Sequence, residues 1–199
     1  MRSVADAGEL PTVTFGPRSL MWWGTLGFMT IEGWTTMILV VAYFYLRQNF
    51  ESWPPSGTPD PRLVVPTLNL LLMLVSVVPA WLAARAAKRL DLARVKGWLL
   101  VTSVFGVAIV VLRWWELWAI NTRWDSNAYG TAAWTIVGFH TSLLVLDVAD
   151  TIGLALFFFI RRMPVKAFSD TVDNSFYWYF TVGLWIPIYL IVYVGPRII

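Results

Sequence analysis

At about 100–200 residues per domain, the 199 residues of this chain amount to one domain. Its 58% hydrophobic and 14% charged content, against about 25% charge in soluble domains, excludes a water-soluble core, a disordered chain and a nucleic-acid binder. The net charge of +3 is only the difference between 15 basic and 12 acidic side chains, and the lack of Cys with a single histidine, His140, excludes a disulfide framework, a cysteine nucleophile and any multi-histidine metal or paired-haem site built from this chain alone.

A helix crossing about 30 Å of hydrocarbon needs about 20 apolar residues, and the chain has five such runs. The first, 20–46, is interrupted only by Glu32. A connection with Trp53-Pro54-Pro55, Gly57, Pro59 and Pro61 follows, which proline φ angles hold in extended and turn geometry. The second run, 63–84, carries no charge but holds Pro66 and Pro79. The third, 97–120, contains Arg113 and Glu116; the fourth, 130–160, contains His140, Asp147 and Asp150; the fifth, 174–195, is uncharged and contains Pro187. Lipid leaves no backbone group unpaired, so runs of this length are helices. The expected fold is all-α, an integral membrane bundle of five transmembrane helices (20–199) behind an N-terminal tail (1–19).

Lys and Arg in the connections set the orientation. Arg2, Arg18, Arg85, Lys88, Arg89, Arg94, Lys96, Arg161, Arg162 and Lys166 make ten on one side, against Arg47, Arg62, Arg123 and Arg197 on the other. The N-terminus is therefore expected in the cytoplasm and the C-terminus in the periplasm, in a bacterial inner membrane. The polar first stretch lacks the h-region and cleavage site of a removable signal peptide. Tryptophans and tyrosines at the span ends, Trp22, Trp23, Trp98, Trp114, Trp115, Trp118, Tyr177 and Trp178, read mostly as interfacial belts.

Each ionisable group inside a span costs about 2.5–3.5 kcal/mol on insertion scales and needs a reason. At about 1.5 Å per residue, Glu32 (from Arg18) and Asp147 (from Arg161) each lie about 21 Å from the basic side, and Asp150 about 16 Å. These three share a level that no Lys or Arg of the spans shares, so they are expected to keep their protons. Arg113 and Glu116, three residues apart on one helix face, are expected to pair, about 26 and 30 Å in. His140, at about 31 Å, is level with Glu116 and within reach of it. Steps of seven and eleven residues put His140, Asp147 and Thr151 on one stripe of the fourth helix. Proton handling, lipid head-group contact and a seam to another subunit are the functional readings of these groups; packing that fixes helix order is the alternative. For His140, a structural hydrogen bond outweighs a metal ligand. The basic run 85–96 serves first as the positive-inside signal and second as a lipid head-group contact.

The succession of residues resembles subunit III of the haem–copper respiratory oxidases in its short, five-helix form. The resemblance rests on Glu32 in the first span, Trp53-Pro54-Pro55 after it, Leu68-Asn69 and Ser76 in the second, and Glu116 in the third. It continues through Tyr129-Gly130, Gly138-Phe139-His140, and Tyr177-Trp178 with Trp185 and Tyr189. It implies a non-catalytic accessory subunit, without a cofactor of its own, that stabilises the catalytic subunit, holds phospholipids and supports proton uptake during oxygen reduction. The implied partners are subunit I and subunit II, which carry the haem and copper, and membrane phospholipids. Glu32 is then the carboxylate facing a lipid cleft, and Glu116 and His140 the polar pair near the outer surface.

The chain departs from the family pattern at four places. Leu143 replaces a second histidine, Arg113 stands where a Gln usually precedes the third-span Glu, and Tyr179 and Val182 replace a His and an Asp of the last span. Asp147 and Asp150 are additional. A relocated polar seam explains this, and it puts Asp147 or Asp150 within hydrogen-bond reach of another helix or subunit. An accessory protein of a nitric oxide reductase and a standalone proton-coupled carrier using Glu32, Asp147 and Asp150 are the competing functions. A membrane enzyme with His140 as base ranks last, since no nucleophile or metal constellation converges on it.

Overall fold

The structure is a computed structural model and describes residues 13–160 and 165–198. Within them five helices are long and apolar enough to cross a membrane. They are α1 (Leu20–Arg47), α2 (Val64–Lys88), α3 (Leu92–Trp118), α4 (Ala128–Ile160) and α5 (Ala167–Tyr189). A 3-10 turn, Gly16–Arg18, leads into α1; a π-helical turn, Leu190–Val194, and a 3-10 turn, Gly195–Arg197, follow α5. The chain is thus a multi-pass helical membrane bundle. Arg2, Arg161 and Arg162, and most of the tail 1–19, lie outside the described residues.

Helix ends differ from the expected spans because hydropathy marks the hydrocarbon and hydrogen bonding marks the helix. α3 starts at Leu92, ahead of 97, because Asp91 caps it: its carboxylate accepts from the Arg94 amide at 3.1 Å. α4 starts at Ala128, where Asn127 Oδ1 accepts from the Gly130 amide at 2.8 Å. α5 starts at Ala167, seven residues before the expected 174, so Asp170 and Asp173 belong to the helix. Pro66 falls in the first turn of α2, whose amides have no intrahelical acceptor, and is accommodated without loss. Pro187 removes a donor near the end of α5, and the regular ladder gives way to the π turn three residues later.

α2 packs against α3 and α5, α3 also packs against α4, and α1 lies at the edge against α4 and α5. Only 6% of the most apolar window of α1 is buried within the chain, against 33–44% for the other helices, so α1 turns most of its apolar surface outward. Two glycines allow close approach. A Cβ at Gly106 of α3 would come within 2.8 Å of Val148 Cγ2 on α4, and one at Gly130 would collide with the Arg123 carbonyl.

The two ends of the bundle differ. The end bearing the α1–α2 and α3–α4 connections is stitched together: Asn121 Nδ2 donates to the Asp60 carbonyl at 3.0 Å, Asn127 Nδ2 to Thr58 Oγ1 at 2.9 Å, and Arg197 Nη2 to the Pro61 carbonyl at 2.5 Å. Trp53 of the proline-rich connection is buried there, edge-on to Tyr43 and Tyr129 at 5.3 and 5.4 Å between ring centroids. The opposite, basic end carries Arg18, Arg85, Lys88, Arg89, Arg94, Lys96 and Lys166, and opens into recesses between the helices.

Candidate functional sites: a closed ion pair and an open acidic cavity

Two groups of buried polar residues occupy different levels of the bundle. Toward the stitched end, Arg113 Nη1 lies 3.0 Å from Glu116 Oε2, both side chains essentially inaccessible. The i,i+3 spacing on α3 sets this pair, and Asn69 of α2 donates to the same carboxylate oxygen at 2.5 Å. The Arg113 guanidinium carbon lies 3.6 Å from the centroid of Trp185, a close cation–π contact with α5. Glu116 Oε1 and Asn69 Oδ1 have no partner among the described residues. Tyr193 closes the site by donating to the Glu116 carbonyl at 3.0 Å.

His140 reaches this group through Arg113. Its Nε2 lies 3.0 Å from the Thr181 carbonyl, which can only accept, so Nε2 carries the proton. Nδ1 is then left to accept from Arg113 Nη2 at 3.5 Å. The expected direct contact of Glu116 with His140 is replaced by this bridge: the guanidinium is long enough to occupy the space between α3 and α4 and meets both residues. Both ring nitrogens thus have a partner within the bundle.

Toward the basic end, α1, α4 and α5 surround a cavity of about 800 Å³. Glu32, Asp147 and Asp150 all line it, with Asp170 and Asp173 of α5. Tyr177 donates to Glu32 Oε2 at 2.6 Å, Thr181 Oγ1 to Asp147 Oδ2 at 3.0 Å, and Asn174 Nδ2 to Asp150 Oδ2 at 3.0 Å. Each carboxylate thus meets a donor from α5, and the polar seam between α4 and α5 exists. On α4 the stripe His140, Asp147, Thr151 is buried throughout, and Thr151 donates to Asn174 Oδ1 at 3.2 Å. Thr181 joins the two levels, its hydroxyl on Asp147 and its carbonyl on His140.

Across α5 a second recess of about 450 Å³ has the opposite character. Arg85 and Lys88 stand over Trp22, Trp81, Phe176 and Tyr179, and a smaller apolar pocket continues it along Val77 and Val78. Sequence reasoning gave Arg85 and Lys88, within the basic run 85–96, as a secondary lipid head-group contact, but not the aromatic residues that α1 and α5 bring beside them. It also left out Asp170 and Asp173, which precede the apolar run of the last span. Trp178, read as an interfacial residue, is instead core: it is 1% exposed and its Nε1 donates to Ser76 Oγ at 3.0 Å. Trp114, Trp115 and Trp118 are exposed along α3, as an interfacial belt requires.

No family model matches the chain. It is distantly homologous to cytochrome c oxidase subunit 3 proteins from several organisms. It is 24% identical over 185 residues to that of a Synechocystis species, covering 89% of this chain and 77% of the relative. The cytochrome c oxidase subunit 3 of Thermostichus vulcanus is 24% identical over 178 residues, 87% of each chain. A probable cytochrome c oxidase subunit 3 of Mycobacterium tuberculosis is 26% identical over 181 residues, 85% of each.

Proposed function

We propose that the chain is an accessory subunit, of subunit III type, in a proton-pumping haem–copper oxidase of a bacterial inner membrane. The carrying observation is the homology across 85–89% of the chain to proteins named cytochrome c oxidase subunit 3. In this reading subunits I and II hold the haem and copper and reduce oxygen. The weakly buried α1 and the tryptophan-rich face of α3 supply surface to a neighbour or to lipid. The basic residues gathered at one end support a cytoplasmic N-terminus and a C-terminus outside.

Lipid holding follows from charge complementarity. In the recess across α5, Arg85 and Lys88 suit a phosphate while Trp81 and the Val77–Val78 groove suit acyl chains. Proton uptake falls to the acidic cavity, whose carboxylates run from Asp170 near the basic end to Glu32 and Asp147. Beyond Asp147 the path meets the Arg113 guanidinium, a fixed positive charge that opposes passage of a proton to the stitched end. The chain therefore gathers protons on one side without leaking them across.

Mild-detergent purification through a tag on this chain tests the reading. The expected product shows haem absorption bands and contains a large haem-bearing subunit by mass identification. A colourless preparation that moves protons or a solute in vesicles by itself overturns it.

A further inference from the structure

The Thr181 hydroxyl, fully buried between the two polar groups, has two acceptors in reach. Oγ1 lies 3.0 Å from Asp147 Oδ2 on α4 and 3.2 Å from the Tyr177 carbonyl one turn back on α5. A hydroxyl carries a single proton, so donation to one acceptor is made at the expense of the other.

The proton count of Asp147 sets which acceptor is used. An ionised carboxylate only accepts, and it holds the Thr181 proton on Oδ2. A protonated carboxyl has to donate. Its Oδ1 has no partner among the described residues, so the added proton is best satisfied on Oδ2, facing the Thr181 oxygen. Oγ1 then accepts, and its own proton turns to the Tyr177 carbonyl. A threonine hydroxyl bonded to the carbonyl four residues back bends its helix. The Thr181 carbonyl is the acceptor for His140 Nε2 at 3.0 Å, so a change of bend at this residue alters that bond. The imidazole lies against Trp185, with ring centroids 4.8 Å apart, and its Nδ1 faces Arg113.

We propose that Thr181 is a two-position switch: its hydroxyl moves between Asp147 and the Tyr177 carbonyl as Asp147 loses or gains a proton, and its carbonyl passes the change to His140 and Arg113. The ionisable groups facing Asp147 across the cavity are Glu32 of α1, Asp150 of α4, and Asp170, Asp173 and Tyr177 of α5. None of these carboxyl groups bonds to Thr181; their charges move the pH at which Asp147 changes state without replacing it as the trigger. No Lys or Arg lines the cavity to hold Asp147 in its charged form, and the network reaches Arg113 only through Thr181 and His140. The device uses residues of this chain alone and stands or falls independently of the oxidase assignment.

His140 is the only histidine of the chain, so labelling histidine with the heavy nitrogen isotope gives one pair of ring resonances in the NMR spectrum of the purified full chain. Between about pH 4 and pH 10, the range over which protein carboxyl groups lose their protons, both resonances are expected to shift with a common midpoint. Nδ1 is expected to keep the signature of an unprotonated nitrogen throughout. Asp147→Asn, whose side-chain oxygen still accepts the Thr181 hydroxyl, is expected to fix both resonances near their alkaline positions at every pH. Thr181→Val is expected to abolish the shift, Thr181→Ser to keep it, and Glu32→Gln to move its midpoint only. Resonances that do not respond to pH, a response undiminished in Asp147→Asn or in the folded Thr181→Val chain, or protonation of Nδ1 itself overturns the proposal. Should Thr181→Val fail to fold, Asp147→Asn decides alone.

Discussion

Arg113 and Glu116 are as deeply buried as Asp147, yet their surroundings are opposite in kind. Around the ion pair, Asn69, Trp185, His140 and Tyr193 close in from α2, α4, α5 and the turn after α5. Around Asp147 the Thr181 hydroxyl is the one hydrogen-bond donor among the described residues, the other oxygen is buried without a partner, and a cavity lies beside the side chain between α1, α4 and α5. Burial fraction alone does not tell a structural charge from a working one. Whether the surroundings are filled and charge-balanced does.

The largest expected effect lies in the closed cluster. Arg113→Met leaves the Glu116 carboxylate unpaired in a site without water access, and removal of one partner of a buried ion pair costs about 3–5 kcal/mol. The double variant Arg113→Met/Glu116→Leu removes both charges and is expected to recover most of that loss. Unfolding midpoints of the two variants in detergent check this. A single variant as stable as the wild type removes the distinction between closed and open clusters.

A smaller effect separates the two ends of the bundle, where the chain reverses through left-handed residues. Asn121, φ 62°, sits in the reversal at the stitched end and its amide donates to the Asp60 carbonyl. Leu90, φ 55°, ends α2 at the basic end: its amide bonds to the Ala87 carbonyl and the next amide, Asp91, to Ala86. That pairing is the usual helix stop, but glycine is its usual residue, and Leu90, half-exposed, has only part of its side chain buried to offset the strain. Asn121→Ala is expected to cost about 1–2 kcal/mol, through the lost bond and the strained backbone. Leu90→Gly is expected to gain up to about 0.5–1 kcal/mol, because relief of strain exceeds the added freedom of the unfolded chain. Thermal unfolding of the two variants shifts in opposite directions if the contrast is real.

How much of this was legible in the sequence depended on the length scale of the signal. Five long apolar runs fixed the number of helices, and the i,i+3 spacing of Arg113 and Glu116 was enough to predict their pairing, because both are local properties of one helix. Depth counting brought Glu32, Asp147 and Asp150 to one level, and the structure gathers them around one cavity. Lateral arrangement was not legible. The bridge from Arg113 to His140 depends on how α3 faces α4, and the basic recess is assembled from three separate elements. Asp170 and Asp173 were hidden for a different reason: hydropathy stops at the first charged residues, whereas helix hydrogen bonds run on through them to Ala167. A helix reading of 167–173 from its unbroken run without Gly or Pro would have added both carboxylates to the cavity.

The smallest expected effect is the sharpest probe of the contrast. Asp147→Asn keeps an oxygen to accept the Thr181 hydroxyl, and its amide nitrogen takes the place of an oxygen that has no partner to lose. Asp150 on the same helix and Glu32 on α1 line the cavity beside Asp147 and are the acceptors nearest in kind to the two new N–H donors. Nothing is stranded, so the change in stability is expected to stay within about 1 kcal/mol, in the range of a single neutral hydrogen bond. That is a fraction of the cost at Arg113, although the two side chains are nearly equally buried. If Asp147→Asn instead unfolds the chain as readily as Arg113→Met, Asp147 belongs to a filled network, and the cavity beside it is packing space rather than a site.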